Sequence, residues 1–152
     1  MNKKKISERQ EKKIAKQTNG RVVPLSGGLK TSAQWKGDVN TDYEKIECKV
    51  TTLSSYKLMF NDLNKIRSQA LKYGREPVFL FEFINGAKGK YVCLFEPNDE
   101  EVNENKSITF KAEELFKNRE KEPIYQCKYR DGEKERSVSI YSYETFLRRR
   151  EQ

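Results

Sequence analysis

Pro77 to Ile84 reads PVFLFEFI, an almost unbroken apolar run, and it limits the possible folds of this chain more than any other feature. A strand that alternates apolar and polar residues can leave one face in water, whereas a strand apolar on both faces needs cover on both. Upstream, Lys45 to Thr52 reads KIECKVTT, with Ile46, Cys48 and Val50 on one face and Glu47, Lys49 and Thr51 on the other. That is the pattern of a half-buried strand. Between the two runs, Leu63, Ile66, Ala70 and Leu71 recur at helical spacing over roughly Leu58 to Tyr73, and Gly74 stops the helix. Strand, helix and strand in this order form a crossover, and an α/β sheet follows.

The remaining elements fit around this unit. Residues 6–18 predict a charged helix, with Ser7 as a cap and Asn19-Gly20 at its end, and Arg21 to Pro24 predict a short strand. Leu25 to Lys36 is a loop rich in Ser, Gly and Thr. After Asn85-Gly86, Lys90 to Phe95 returns as a strand, and residues 97–106 form an acidic surface loop. Ile108 to Phe110 predict a short strand and Ala112 to Lys117 a short helix. Ile124 to Tyr129 pairs with Arg136 to Tyr141 across Asp131-Gly132-Glu133, and a short helix over Tyr143 to Arg149 closes the chain. The expectation is one domain over residues 1–152, with residues 1–5 a disordered basic tail. No internal repeat and no linker interrupts it.

Charge narrows the function. Lys and Arg number 31 against 23 Asp and Glu, a net charge of +8, which points toward a polyanion such as nucleic acid or an acidic membrane surface. No apolar run approaches the roughly 20 residues that span a bilayer. The basic N-terminus has no apolar segment behind it, so it does not read as a secretory signal. Cys48, Cys93 and Cys127 lie in apolar strand-like runs and read as reduced, buried thiols of a cytoplasmic protein.

The chain contains no histidine. That excludes Ser-His-Asp and Cys-His nucleophile systems, the HExxH zinc site and any histidine general base. Hydrolysis by this chain must use carboxylates, lysine and a hard, oxygen-liking cation.

One constellation meets that requirement: Lys36-Gly37-Asp38 followed by Glu47-Cys48-Lys49. Glu47 and Lys49, two apart in a strand, project to the same side. Asp38, at the end of a loop, can fold back beside them. Two carboxylates can hold a divalent cation that acidifies water and neutralises charge growing on a phosphate. Lysine can orient the water or stabilise the transition state. The Cys48 main-chain carbonyl can add an oxygen ligand suited to Mg²⁺. Glu-x-Lys alone is a weak signal, since it recurs at Glu11–Lys13 and Glu104–Lys106. Only residues 47–49 combine it with an alternating strand, an upstream Gly-Asp and a following helix.

This arrangement resembles the PD-(D/E)xK nuclease superfamily, and within it the archaeal and phage Holliday-junction resolvases. The resemblance runs over residues 6–95: Glu11 on the first helix, Gly20-Arg21-Val22-Val23, Ser26-Gly27-Gly28, Asp38, Glu47-Cys48-Lys49 and the helix after them. Glycine stands where the family name has proline, and the helical carboxylate is open between Glu8 and Glu11, with Glu11 the better match in spacing.

The resemblance implies a restriction-endonuclease-like mixed central sheet flanked by helices, here with a C-terminal β-hairpin and short helix. It implies a Mg²⁺- or Mn²⁺-dependent DNA endonuclease acting as a homodimer on branched or duplex DNA. No nucleotide cofactor is expected. Catalysis falls to Lys49, Glu11, Asp38 and Glu47, and metal binding to Asp38, Glu47, the Cys48 carbonyl and Glu11. Ser26, Gly27, Ser32, Gln34 and Lys36 are candidate DNA contacts, as are Arg148 and Arg149 in the basic C-terminal cluster. An ordinary flexible loop and a solvated tail stand as alternatives for these, and Trp35 either stacks on a base or anchors the loop. Two functional alternatives remain: a catalytically inactive nucleic-acid-binding protein, or a restriction, repair or nicking nuclease. A phage source, and hence the cytoplasm of a host cell, would suit so compact a nuclease.

Overall fold

A computed structural model of the protein describes residues 3–23 and 37–151. Their elements are α1 (Lys3–Thr18), β1 (Arg21–Val23), β2 (Gly37–Asn40), β3 (Glu44–Thr51), β4 (Ser55–Met59), α2 (Phe60–Lys72), β5 (Glu76–Phe83), β6 (Gly89–Phe95), β7 (Val102–Asn103), β8 (Ser107–Lys111), α3 (Ala112–Lys117), β9 (Tyr125–Asp131), β10 (Lys134–Ser142) and α4 (Tyr143–Arg150). One sheet runs β1-β2-β3-β5-β6-β10-β9-β7, and β4 pairs with β8 in a separate two-stranded ribbon. The β3–β5 and β7–β9 pairs are parallel and the other pairs of the large sheet antiparallel. This is a mixed α/β fold, a large mixed sheet flanked by helices, ending in the expected hairpin and short helix.

The apolar run of β5 explains the layering. Phe79, Phe81 and Phe83 point to one face, where they meet Phe60, Leu63 and Ile66 of α2 and Leu58, Phe110 and Leu115 of the β4–β8–α3 unit. Tyr56 stacks on Phe81 with ring centroids 4.8 Å apart, and Phe60 stacks on Tyr129 at 4.6 Å. Val78 and Leu80 point to the other face, against Ile14 and Ala15 of α1 and Tyr143 and Phe146 of α4. Burying each such side chain stabilises the fold by about 1.5–3 kcal/mol. A strand with polar residues on either face would forfeit one of these layers.

Four boundaries differ from the sequence expectation. Leu58 and Met59 end strand β4 instead of opening the helix, because Ser55–Met59 pairs residue for residue with β8 from Lys111 back to Ser107. The helix then starts without a side-chain cap; the Phe60 N–H donates to the Lys106 carbonyl at 3.0 Å instead. Leu71, expected on the buried face of α2, is about half exposed, at 49%. Val102–Asn103 make a short edge strand inside the acidic loop, paired with β9. Helix α1 begins at Lys3, so only Met1 and Asn2 of the expected basic tail lie outside the described residues.

A further difference shapes the site. Asp38 is not at the end of a loop but inside a strand, β2, which pairs antiparallel with β1 and β3. Gly20 permits this arrangement: a Cβ there would lie 2.7 Å from the Asn40 carbonyl oxygen. The β9–β10 turn uses a second glycine, Gly132, at φ +64°, the left-handed region that glycine enters without penalty. No helix among the described residues is long and apolar enough to cross a membrane.

Candidate active site

The β2–β3 register brings the predicted residues together. Asp38 lies opposite Glu47, and Gly37 opposite Cys48. Directly opposed residues of an antiparallel pair share a face. On the parallel side, Glu47 is in register with Phe79 and Lys49 with Phe81. Asp38, Glu47 and Lys49 therefore stand on the α2 face of the sheet. Glu47 is buried, and Asp38 and Lys49 are half-buried. Strand alternation adds Lys45 to that face, and its ammonium lies 3.1 Å from the Asp38 carboxylate.

Glu11 arrives from the other side. The inward stripe of α1 runs Ser7, Gln10, Glu11, Ile14, Ala15, Thr18, all buried. Its C-terminal half packs on Val39, Ile46 and Cys48, and its N-terminal half is polar although buried. Glu8 is half-buried, so of the two candidate carboxylates Glu11 is the one turned inward.

Cys48 lies within the electrostatic field of all these elements. Burial pushes its thiol pKa well up, and the negative charges of Glu11, Asp38, Glu47 and Glu82 push it further, in that order. Carboxylates from α1, β2, β3 and β5 thus act on one buried sulfur. The Cys48 side chain faces the core, which leaves its main chain as the part able to contribute to a site on the sheet.

Two carboxylate residues opposed across a ladder, beside the main chain of Cys48, offer oxygen donors only. That set fits a cation such as Mg²⁺, which takes one or two carboxylates and completes its shell with water and phosphate oxygens. Among the described residues no group of three or more His, Cys, Asp or Glu side chains is arranged to hold a metal by itself. A cation here would therefore need oxygens from solvent or substrate, and would displace the Lys45 ammonium from Asp38.

The DNA contacts expected at Ser26, Gly27, Ser32, Gln34 and Lys36, with Trp35, lie outside the described residues. The C-terminal arginines are engaged elsewhere. Arg148 pairs with Glu122 at 2.6 Å and Arg149 with Glu96 at 3.0 Å. Arg150 holds both oxygens of Glu44, at 3.0 and 2.8 Å, and also donates to the Thr18 carbonyl. These arginines fasten α4 to the rest of the chain. Gln69 and Lys65 of α2 are exposed.

Sequence reasoning missed Lys45 and Gln10. Strand alternation already carried the signal for Lys45, at the same parity as Glu47 and Lys49. Gln10 gave a fainter one, a polar residue adjoining Glu11 on the helix stripe that leads to Ile14. Its Nε2 donates to the Lys49 main-chain carbonyl at 2.9 Å and to Glu82 Oε1 at 3.2 Å.

Fold and site together define a mixed α/β protein with a carboxylate–lysine cluster where a β-hairpin joins the central sheet. No family model matches the chain, and no curated protein matches it. In structure it is similar to Hjc, a Holliday junction resolvase from the archaeal hyperthermophile Archaeoglobus fulgidus. The TM-score is 0.44 and the identity 12%, over 72% of this chain and 84% of that one.

Proposed function

We propose that the protein is a metal-dependent DNA endonuclease of the PD-(D/E)xK type, hydrolysing phosphodiester bonds in branched DNA such as four-way junctions. The observation that carries this reading is the Asp38–Glu47 cross-strand pair with Lys49 on the same face. A pure binder of polyanions has no use for two carboxylates held against a phosphate, because each repels it.

Asp38, Glu47 and the Cys48 carbonyl would hold Mg²⁺ or Mn²⁺. When bound, the ion supplies Lewis acidity and makes water a competent nucleophile at neutral pH. Lys49 keeps its ammonium beside the phosphate, orienting the water and stabilising the negative charge that grows on the phosphoryl oxygens. Glu11 adds negative charge from the helix side. The net charge of +8 draws DNA in without reading bases, so binding falls steeply with salt. Cutting two symmetric strands of a junction calls for two copies of the site, and the working form in this reading is a homodimer in the cytoplasm.

The test is cleavage of four-way junction, flap, nicked and linear duplex DNA, with Mg²⁺ or EDTA, beside Asp38→Ala and Lys49→Ala. Metal-dependent cutting lost in both variants is expected, with junctions cut in preference to linear duplex. Undiminished cutting in both variants sinks the site. Tight junction binding without cutting by the wild type would instead identify an inactive binder.

A further inference from the structure

We infer that Gln10 is a positioning residue, a clamp that fixes the helix carrying Glu11 to the strand carrying Glu47 and Lys49. The β2–β3 pairing among the described residues ends at Gly37–Cys48, yet β3 continues to Thr51. One residue past that end, the Lys49 carbonyl receives the Gln10 amide at 2.9 Å. The same Nε2 reaches Glu82 Oε1 at 3.2 Å, so one side chain ties together α1, β3 and β5.

Three features mark this contact as more than core filling. Gln10 is 5% exposed, and its Oε1 is buried with no hydrogen-bond partner among the described residues. A buried amide oxygen left so is costly, and an apolar side chain at this place would avoid the cost. Second, Gln10 adjoins Glu11, so the amide sets the height and rotation of α1 where the helix carries Glu11. Third, its other anchor is itself held. Glu82 faces Lys90 directly across the β5–β6 ladder. Burial raises the Glu82 pKa, while Lys90, the Gln10 hydrogen bond and Lys13 oppose that rise. The charges of Lys90 and Lys13 favour the carboxylate form that accepts from Gln10.

Only the kinetic arm of the test rests on the nuclease reading. Gln10→Ala and Gln10→Glu are compared with wild type and Asp38→Ala by hydrogen exchange without metal, and by junction cleavage with Mg²⁺. The inference expects faster exchange confined to amides 7–15 and 48–50 in Gln10→Ala. It expects kcat to fall by about 10–100-fold, the usual cost of removing an outer partner of a metal site, with KM nearly unchanged. Gln10→Glu should lose at least as much activity as Gln10→Ala, because a carboxylate cannot donate to the Lys49 carbonyl and it repels Glu82.

Unchanged or uniformly faster exchange in Gln10→Ala overturns the clamp. So does wild-type kcat in Gln10→Ala while Asp38→Ala is inactive. If the wild type cuts no DNA, the nuclease reading fails, and the clamp is then judged on exchange alone.

Discussion

Asp38 stands directly across the β2–β3 ladder from Glu47, and the Lys45 ammonium lies 3.1 Å from the Asp38 carboxylate. Like charges opposed in this way destabilise a sheet, and a cation beside them offsets the repulsion. Lys45→Met is therefore expected to lower stability by about 1 kcal/mol in EDTA. Added Mg²⁺ should raise the melting temperature of Lys45→Met more than that of the wild type, since ammonium and metal compete for one carboxylate. Equal Mg²⁺ responses would show that the ion binds elsewhere.

The three C-terminal arginines separate by what they hold. Arg150 makes a two-pronged contact with Glu44, whose side chain is only 12% exposed. Arg150→Ala leaves that carboxylate without its charged partner, keeping only the Thr41 hydroxyl, and should cost about 2 kcal/mol. Arg148, with a side chain 58% exposed against Glu122, should cost less than about 0.5 kcal/mol when replaced by alanine. Urea melts distinguish the two. A loss in Arg148→Ala matching that in Arg150→Ala would refute the assignment of Arg150 as the anchor.

All three thiols are buried and unpaired. Burial pushes Cys48 and Cys93 well above the usual range and Cys127 up to about 11. Thiolate, the reactive form, is therefore scarce at pH 8. A disulfide reagent at that pH should label none of the three in the native protein during the time in which it labels all three after unfolding in guanidinium. Fast native labelling of any one would contradict its burial.

Helix α2 can be tested at its two faces. Phe81, fully buried beneath it, touches Tyr56, Phe83, Tyr91 and Phe110, and Phe81→Ala should cost about 3–5 kcal/mol. Leu71→Ala should stay within about 0.5 kcal/mol of wild type. A large loss at Leu71 would mean that its face is covered.

Much of the architecture was legible because periodicity is a local property. The alternation of KIECKVTT, the unbroken PVFLFEFI run and the turn at Asp131-Gly132 each follow from side-chain direction or backbone preference. Strand β2 was not legible. Gly-Asp-Val-Asn is short and polar, and becomes a strand only because β1 and β3 lie on either side to satisfy its main chain. Strand β4 was hidden for the same reason: Leu58 and Met59 suit a helix as well as a strand until β8 supplies the ladder.

Within the site, residue types and parity could be read directly. Glu47 and Lys49 share a face because they are two apart, and the lack of histidine left carboxylates and lysine as the available chemistry. Tertiary structure alone decided that Asp38 opposes Glu47, that Lys45 neutralises it, that Gln10 bridges from α1 to β3 and β5, and that the C-terminal arginines are held by Glu44, Glu96 and Glu122. The physical reason is distance along the chain. Local sequence sets the direction of a side chain relative to its own backbone, whereas its partner across a ladder depends on register, which long-range packing selects.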